Sequence, residues 1–153
     1  VTAQGSGGLE NDEAGRSVET LYAKSHRGLW PLVAFLALSI WARSGFRFVP
    51  AIPASWRNFL GAPPPPSLIN AAFALYLVSA LVISLMRMAG QVAPGSVFRP
   101  LGYLAAFYAF HHISGSLPDN YFAVLIGGVV LLSLEYYRSL QYYRQKIQEL
   151  TER

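Results

Sequence analysis

The sequence predicts an all-α integral membrane protein with four transmembrane helices, the last of which continues into the cytoplasm. Three observations carry this prediction. The 153-residue chain is 53% hydrophobic and only 13% charged, against roughly 25% charged residues in an ordinary soluble domain. The deficit is concentrated, because residues 29–42, 67–86, 101–113 and 121–134 contain no Asp, Glu, Lys or Arg. The final third keeps one apolar stripe throughout. Leu125, Val129, Leu132, Tyr136, Leu140, Tyr143, Ile147 and Leu150 recur at spacings of three and four, which places them on one helical face. Before Glu135 the other faces are apolar as well, whereas after it they carry Arg138, Gln141, Arg144, Gln145, Lys146, Gln148 and Glu149. That change marks a membrane exit.

Taken in order, residues 1–16 place Gly5, Gly7, Gly8 and Gly15 among Ser, Glu and Asp, too polar to order by burial, and predict a disordered tail. Residues 17–27 form a short interfacial segment in which SVETLYAKS lies on the membrane surface with Leu21 and Tyr22 dipping into lipid. A secretory signal has a basic start followed directly by an apolar core. Here a long polar stretch comes first, so the first span is expected to act as an uncleaved anchor.

The membrane domain covers 28–137, with spans near 28–46, 67–87, 99–113 and 120–137. In the first, Pro31 sits in the opening turn, where its missing N–H costs little. The charge-free core ends at Ala42, short of the roughly 20 residues that cross a bilayer. The helix is therefore expected to run past Arg43, whose side chain snorkels to the headgroups. Trp30 and Trp41 serve as interfacial aromatics. Residues 46–66, interrupted by Pro50 and Pro53 and ending in the stiff run Pro63 to Pro66, predict an irregular interfacial loop that aims the chain into the next span.

Within 67–87, Ser67, Asn70, Ala71, Ala74 and Val78 share a face whose small side chains permit close helix approach, and this face is expected to pack inside the bundle. GQVAPG at 90–95 is a connector. Arg99 and Pro100 open the third span, which ends in His111 and His112. A three-span version follows if residues 101–113 are too short to cross. Ser114 to Asn120 carries turn chemistry, with Ser116 or Asp119 as N-cap of the last helix, and so short a link implies antiparallel neighbours. Gly127 and Gly128 supply a flat patch for another helix, the third span among the candidates.

Basic residues report orientation. With four spans, Arg16, Lys24, Arg27, Arg87, Arg99, Arg138, Arg144, Lys146 and Arg153 share one side, and Arg43, Arg47 and Arg57 the other. The positive-inside rule then places both termini in the cytoplasm of a bacterial-type inner membrane. The net charge of +4 is spread around span ends rather than gathered in a run, so topology accounts for it and a nucleic-acid partner is not expected.

The chemistry on offer is sparse. There is no cysteine, which excludes disulfides, thiolate metal sites and a cysteine nucleophile. HExxH and phosphate-loop patterns do not occur, and Ser114 or Ser116 beside His112 and Asp119 reads as cap chemistry rather than a Ser-His-Asp site. His111 and His112 are the candidate ligands for haem or a chlorin, or contacts for a quinone near Tyr108 and Arg99. Adjacent helical residues point about 100° apart, so at most one of the pair ligates a given metal. Their ordinary role is at the interface end of a short helix. Transport would call for buried ionisable groups or an internal repeat. Only Glu135 and Arg43 approach a span, each near its end, and no repeat is visible.

The expected function is therefore non-catalytic: an accessory or scaffolding subunit of a larger inner-membrane complex. Tyr136, Leu140, Tyr143, Ile147 and Leu150 form the partner-binding stripe, either for other subunits or for self-association. The competing use of 138–153 is as an amphipathic helix lying on the bilayer. The alternative functions are a redox membrane anchor built on the histidine pair, and a small transporter or channel.

Overall fold

Prolines and glycines set the helix boundaries. In the computed structural model, which describes residues 15–16, 19–24, 28–46, 61–96 and 98–152, the chain is helical with no strand among these residues. A short helical stretch over 19–24 precedes four long helices: α1 (Leu29–Arg43), α2 (Pro66–Ala89), α3 (Phe98–Ile113) and α4 (Leu117–Thr151). Of the tail expected over 1–16, residues 1–14 lie outside the described residues and 15–16 are helical; most of the interfacial loop expected over 46–66 also lies outside them, as do Arg27, Arg47, Arg57 and Arg153.

The expected extension of the first helix past Arg43 does not form. The chain turns through Ser44 to Phe46, with the amide N–H of Ser44 donating to Trp41 O (3.1 Å) and that of Gly45 to Ala42 O (2.9 Å). Gly45 stands at φ +70° and Phe46 at φ +50°, left-handed conformations that stop a helix and that glycine adopts without strain. The resulting fold brings Phe46 back over the bundle, edge-on to Trp41 with ring centroids 5.0 Å apart. Arg43 does not simply reach outward: its guanidinium lies 5.7 Å from the Tyr121 ring centroid, a cation–π contact.

Four antiparallel passes build the bundle. α3 and α4 form its centre, each packed on the other and on both outer helices, while α1 and α2 lie on opposite sides and do not touch one another among the described residues. The core draws on every helix: Phe35 and Ala42 of α1, Phe73 of α2, Leu104 and Tyr108 of α3, and Leu117, Tyr121, Val124 and Leu132 of α4. Phe35 stacks on Tyr108 with centroids 5.9 Å apart, and Phe73 meets Phe107 edge-on at 4.9 Å.

The glycine pair on α4 explains how three helices approach so closely. A Cβ at Gly127 would come within 2.6 Å of Leu77 Cδ1 and 2.9 Å of Phe73 Cζ, both from α2, and a Cβ at Gly128 would collide with the Phe35 ring of α1. The two glycines therefore receive the two outer helices, and neither faces the third span. The small-residue face of α2 is turned the other way. Ser67, Asn70, Ala71, Ala74 and Val78 are exposed, and α2 buries Ile69, Phe73 and Ser84 instead. Close approach is thus supplied by α4, so α2 can present bulky side chains to it.

α2 and α4, with 24 and 35 residues, are long and apolar enough to cross a membrane. α1 has 15 residues and α3 has 16, or about 22 and 24 Å at 1.5 Å per residue, short of a hydrocarbon core of roughly 30 Å. Only 17% of the most apolar window of α2 and 33% of that of α4 are buried in the protein, whereas a core helix of a soluble domain would be mostly enclosed. The outward faces of the short helices are apolar too, with Trp30, Val33 and Ile40 of α1 and Phe98, Tyr103 and Phe110 of α3 exposed.

Candidate functional site

Three places gather the polar and partner-ready residues of this apolar bundle. The first is the end at which α1 and α3 finish and α4 begins. The α3–α4 link must turn within a few residues, and Gly115 at φ +72° permits it. Ser116 occupies the N-cap of α4, but its hydroxyl makes no capping bond. It lies 2.9 Å from His111 Nδ1 and 2.7 Å from Ser114 Oγ. Asn120 Nδ2 donates to the Ser116 carbonyl at 2.9 Å, and Asp119 places its negative charge in the first turn of α4, where it complements the helix dipole.

A second hydrogen-bonded chain runs just inside this link. Tyr108 of α3 donates from its hydroxyl to Ser39 Oγ at 3.0 Å, Ser39 donates on to Phe35 O at 2.8 Å, and Tyr121 of α4 donates to Ser39 O at 3.1 Å. One serine on α1 thereby anchors both central helices. Such bonds matter in an apolar interior, where no water replaces a missing partner.

These positions divide the residues considered for a cofactor. Tyr108 and His111 are fully buried and share a face of α3, His112 is exposed, and Arg99 is exposed at the opposite end of the helix, about 18 Å away along the axis. The four do not converge on one site. His111 Nε2 is buried without a hydrogen-bond partner, yet the ring is wholly enclosed, so a planar macrocycle would reach it only by parting the helices. His112 is the accessible imidazole; its outer contact is edge-on to Phe46 at 5.1 Å. No group of three or more His, Asp or Glu residues capable of holding a metal ion occurs among the described residues. The serine–histidine cluster involves His111 rather than His112, and it locks the α3–α4 turn.

The second place lies at the other end, where α2 finishes against α4. Ser84 of α2 donates to Glu135 Oε1, and Arg138 Nη2 donates to Glu135 Oε2 at 2.8 Å. The arginine side chain is 4% exposed and the glutamate 14%. Sequence pattern counts Arg138 among the solvent-facing charges beyond the membrane exit, but it is buried. The i,i+3 spacing of Glu135 and Arg138 was the available signal.

The third place is the stripe on α4. The helix buries Leu117, Tyr121, Val124, Gly128, Leu131, Leu132, Arg138 and Ser139, so the expected stripe is buried at Leu132 and partly buried at Leu125 and Val129. Along the expected partner stripe, Tyr136, Leu140, Tyr143 and Ile147 are half-buried and Leu150 is exposed, and no described residue after Ser139 is buried. The helix continues unbroken to Thr151, so its last three turns project beyond the closely packed part of the bundle. The charged side is held by local pairs such as Lys146 Nζ with Glu149 Oε2 at 3.2 Å.

No family model, no curated protein and no solved structure matches this chain.

Proposed function

We propose that the chain is a non-catalytic accessory or scaffolding subunit of a larger inner-membrane assembly, with all four helices immersed and both termini on the cytoplasmic side. The observation that carries this is α4. A single 35-residue helix, about 52 Å long, packs on all three other helices and then leaves them, carrying a half-covered stripe of Leu140, Tyr143 and Ile147 onward. A rigid rod rooted in a bundle transmits position to whatever binds its free end. The outward small-residue face of α2 adds a second surface on which a neighbouring transmembrane helix can approach closely. The short α1 and α3 are accommodated by local thinning of the bilayer and by their aromatic ends.

The competing functions have less to rest on. A haem or chlorin anchor needs one histidine with open space beside its ring, and His111 is enclosed; a quinone contact needs a histidine near Tyr108 and Arg99, and Arg99 stands at the opposite end of α3. A transporter built on Ser67 and Asn70 needs these to line a path, and they face outward.

Affinity purification from native membranes tests the proposal. The expected result is co-purifying membrane subunits that are lost when Leu140 and Ile147 are both replaced by Ser, with membrane insertion unchanged because both residues lie beyond Glu135. A lone monomer in native extracts, or subunits retained by the double variant, would count against it.

A further inference from the structure

The connector that follows α2 folds against α4 and leaves a cleft of about 100 Å³, whose lining includes Arg87, Gln91, Arg138, Gln141, Tyr142 and Gln145. Arg138 stands out among these. Its side chain is 4% exposed, Nη2 is taken by Glu135, and Nε and Nη1 are buried with no acceptor. A guanidinium stays protonated at any physiological pH, and buried polar groups in folded proteins almost always have partners. Arg87, exposed at the end of α2, makes no ion pair among the described residues.

The charges around the cleft specify the missing partner. Arg87 and Arg138 bring two positive charges and Glu135 cancels one, leaving a single positive excess. The carboxyl end of α2, where carbonyls accumulate partial negative charge, further disfavours a doubly charged ligand. We propose that the cleft binds a singly charged phosphodiester-type anion, with the incompletely paired guanidinium of Arg138 at its wall and Arg87 supplying the second cation. Tyr142 and Gln145 also line the cleft. Guanidinium groups suit phosphate oxygens in charge and in planar donor geometry. The source is either a phospholipid headgroup, which the end of a membrane-spanning α2 places at the right depth, or a phosphate ester from the aqueous phase. The lipid source rests on the membrane immersion proposed above but not on the subunit role, so loss of a protein partner and loss of the anion are separate outcomes.

The full-length chain in neutral detergent decides the matter by two measurements: native mass spectrometry of retained phosphatidylglycerol against phosphatidylcholine, and thermal unfolding with added inorganic phosphate or glycerophosphate. The expected result is a preference of about tenfold for phosphatidylglycerol. Arg87→Gln should abolish it, whereas Arg144→Gln, which removes the same charge from an exposed position on α4 outside the cleft, should retain it. Arg138→Gln should also abolish it, with helicity by circular dichroism as the control for folding. Stabilisation by the soluble phosphates without a lipid preference, lost in Arg87→Gln and kept in Arg144→Gln, supports the same site with an aqueous source. Equal behaviour of the Arg87 and Arg144 variants overturns the proposal. Absence of both lipid preference and phosphate stabilisation overturns it as well, and leaves the free nitrogens of Arg138 to water.

Discussion

Adding a single methyl group at Gly128 drives it into collision with Cζ of Phe35, a residue with no exposed surface. Neither α1 nor α4 can yield without disturbing the stacked Tyr108, so Gly128→Ala is expected to destabilise the bundle by about 1–3 kcal/mol through overpacking, read as a lowered unfolding temperature in detergent. The same change at the exposed Gly102, where a Cβ meets nothing within 4 Å, should be neutral or mildly stabilising. Equal effects at the two glycines would remove the close-approach account. Ser39 offers a sharper comparison. Ser39→Ala strands the Tyr108 hydroxyl in an apolar interior and should cost about 1–3 kcal/mol, whereas Tyr108→Phe removes the stranded group and should cost about 1 kcal/mol. The double variant should be no less stable than Ser39→Ala alone; simple additivity would show that the two residues are not coupled. The sequence points to the glycine pair as a packing surface and to Ser116 or Asp119 as the cap, because short-range pattern encodes both. It could not show that Ser116 gives its hydroxyl to His111, or that Ser39 bonds to residues 69 and 82 positions away, since such partners are chosen by tertiary packing.

At the scale of whole helices, charge-free stretches and turn residues made all four elements legible, and the unbroken run of α4 past Glu135 followed from its continuous stripe. The orientation of each helix was not legible. A helix apolar on every side has no preferred face in its sequence, so α2 turns its small residues outward, and α4 buries Leu132 of the expected stripe together with Val124, Gly128 and Leu131 beside it. The end of α1 has a different cause: the left-handed conformations of Gly45 and Phe46 stop the helix at Arg43, before it is as long as a bilayer is thick. The junction of α2 with α4 makes a prediction that belongs to this scale. Arg138→Leu leaves the Glu135 carboxylate without its cation in a site that is 14% exposed, and should cost about 3–5 kcal/mol. Replacing Glu135 and Arg138 together by Leu should recover most of that loss, because a buried ion pair is commonly worth little more than apolar residues of similar volume. Thermal unfolding of both variants checks this. A double variant as unstable as the single one would mean that the pair also holds Ser84 and α2 in place.

The whole molecule confronts a mismatch between two helices long enough to cross a bilayer and two that are not. The bundle nevertheless places the end of α1 beside the ends of α3 and the start of α4, as Arg43 over Tyr121 and Phe46 against His112 show. Four crossings therefore require the short helices to be carried through the same slab as α2 and α4 by packing. Because there is no native cysteine, single reporters at exposed positions can trace this with a membrane-impermeant maleimide. Ala23→Cys and Ala62→Cys flank α1 and the loop after it, and should label from opposite sides only if α1 crosses. Ala93→Cys and Glu152→Cys flank α3 together with α4, and should label from the same side if both of those helices cross and from opposite sides if only α4 does. The expected pattern is Ala62→Cys labelled in intact cells and the other three only after the membrane is opened, which also places the exposed end of α4 in the cytoplasm. Labelling of Ala23→Cys together with Ala62→Cys would reduce α1 to an interfacial helix. Opposite labelling of Ala93→Cys and Glu152→Cys would do the same for α3 and leave three crossings, and both results together would leave only α2 and α4 as crossing helices.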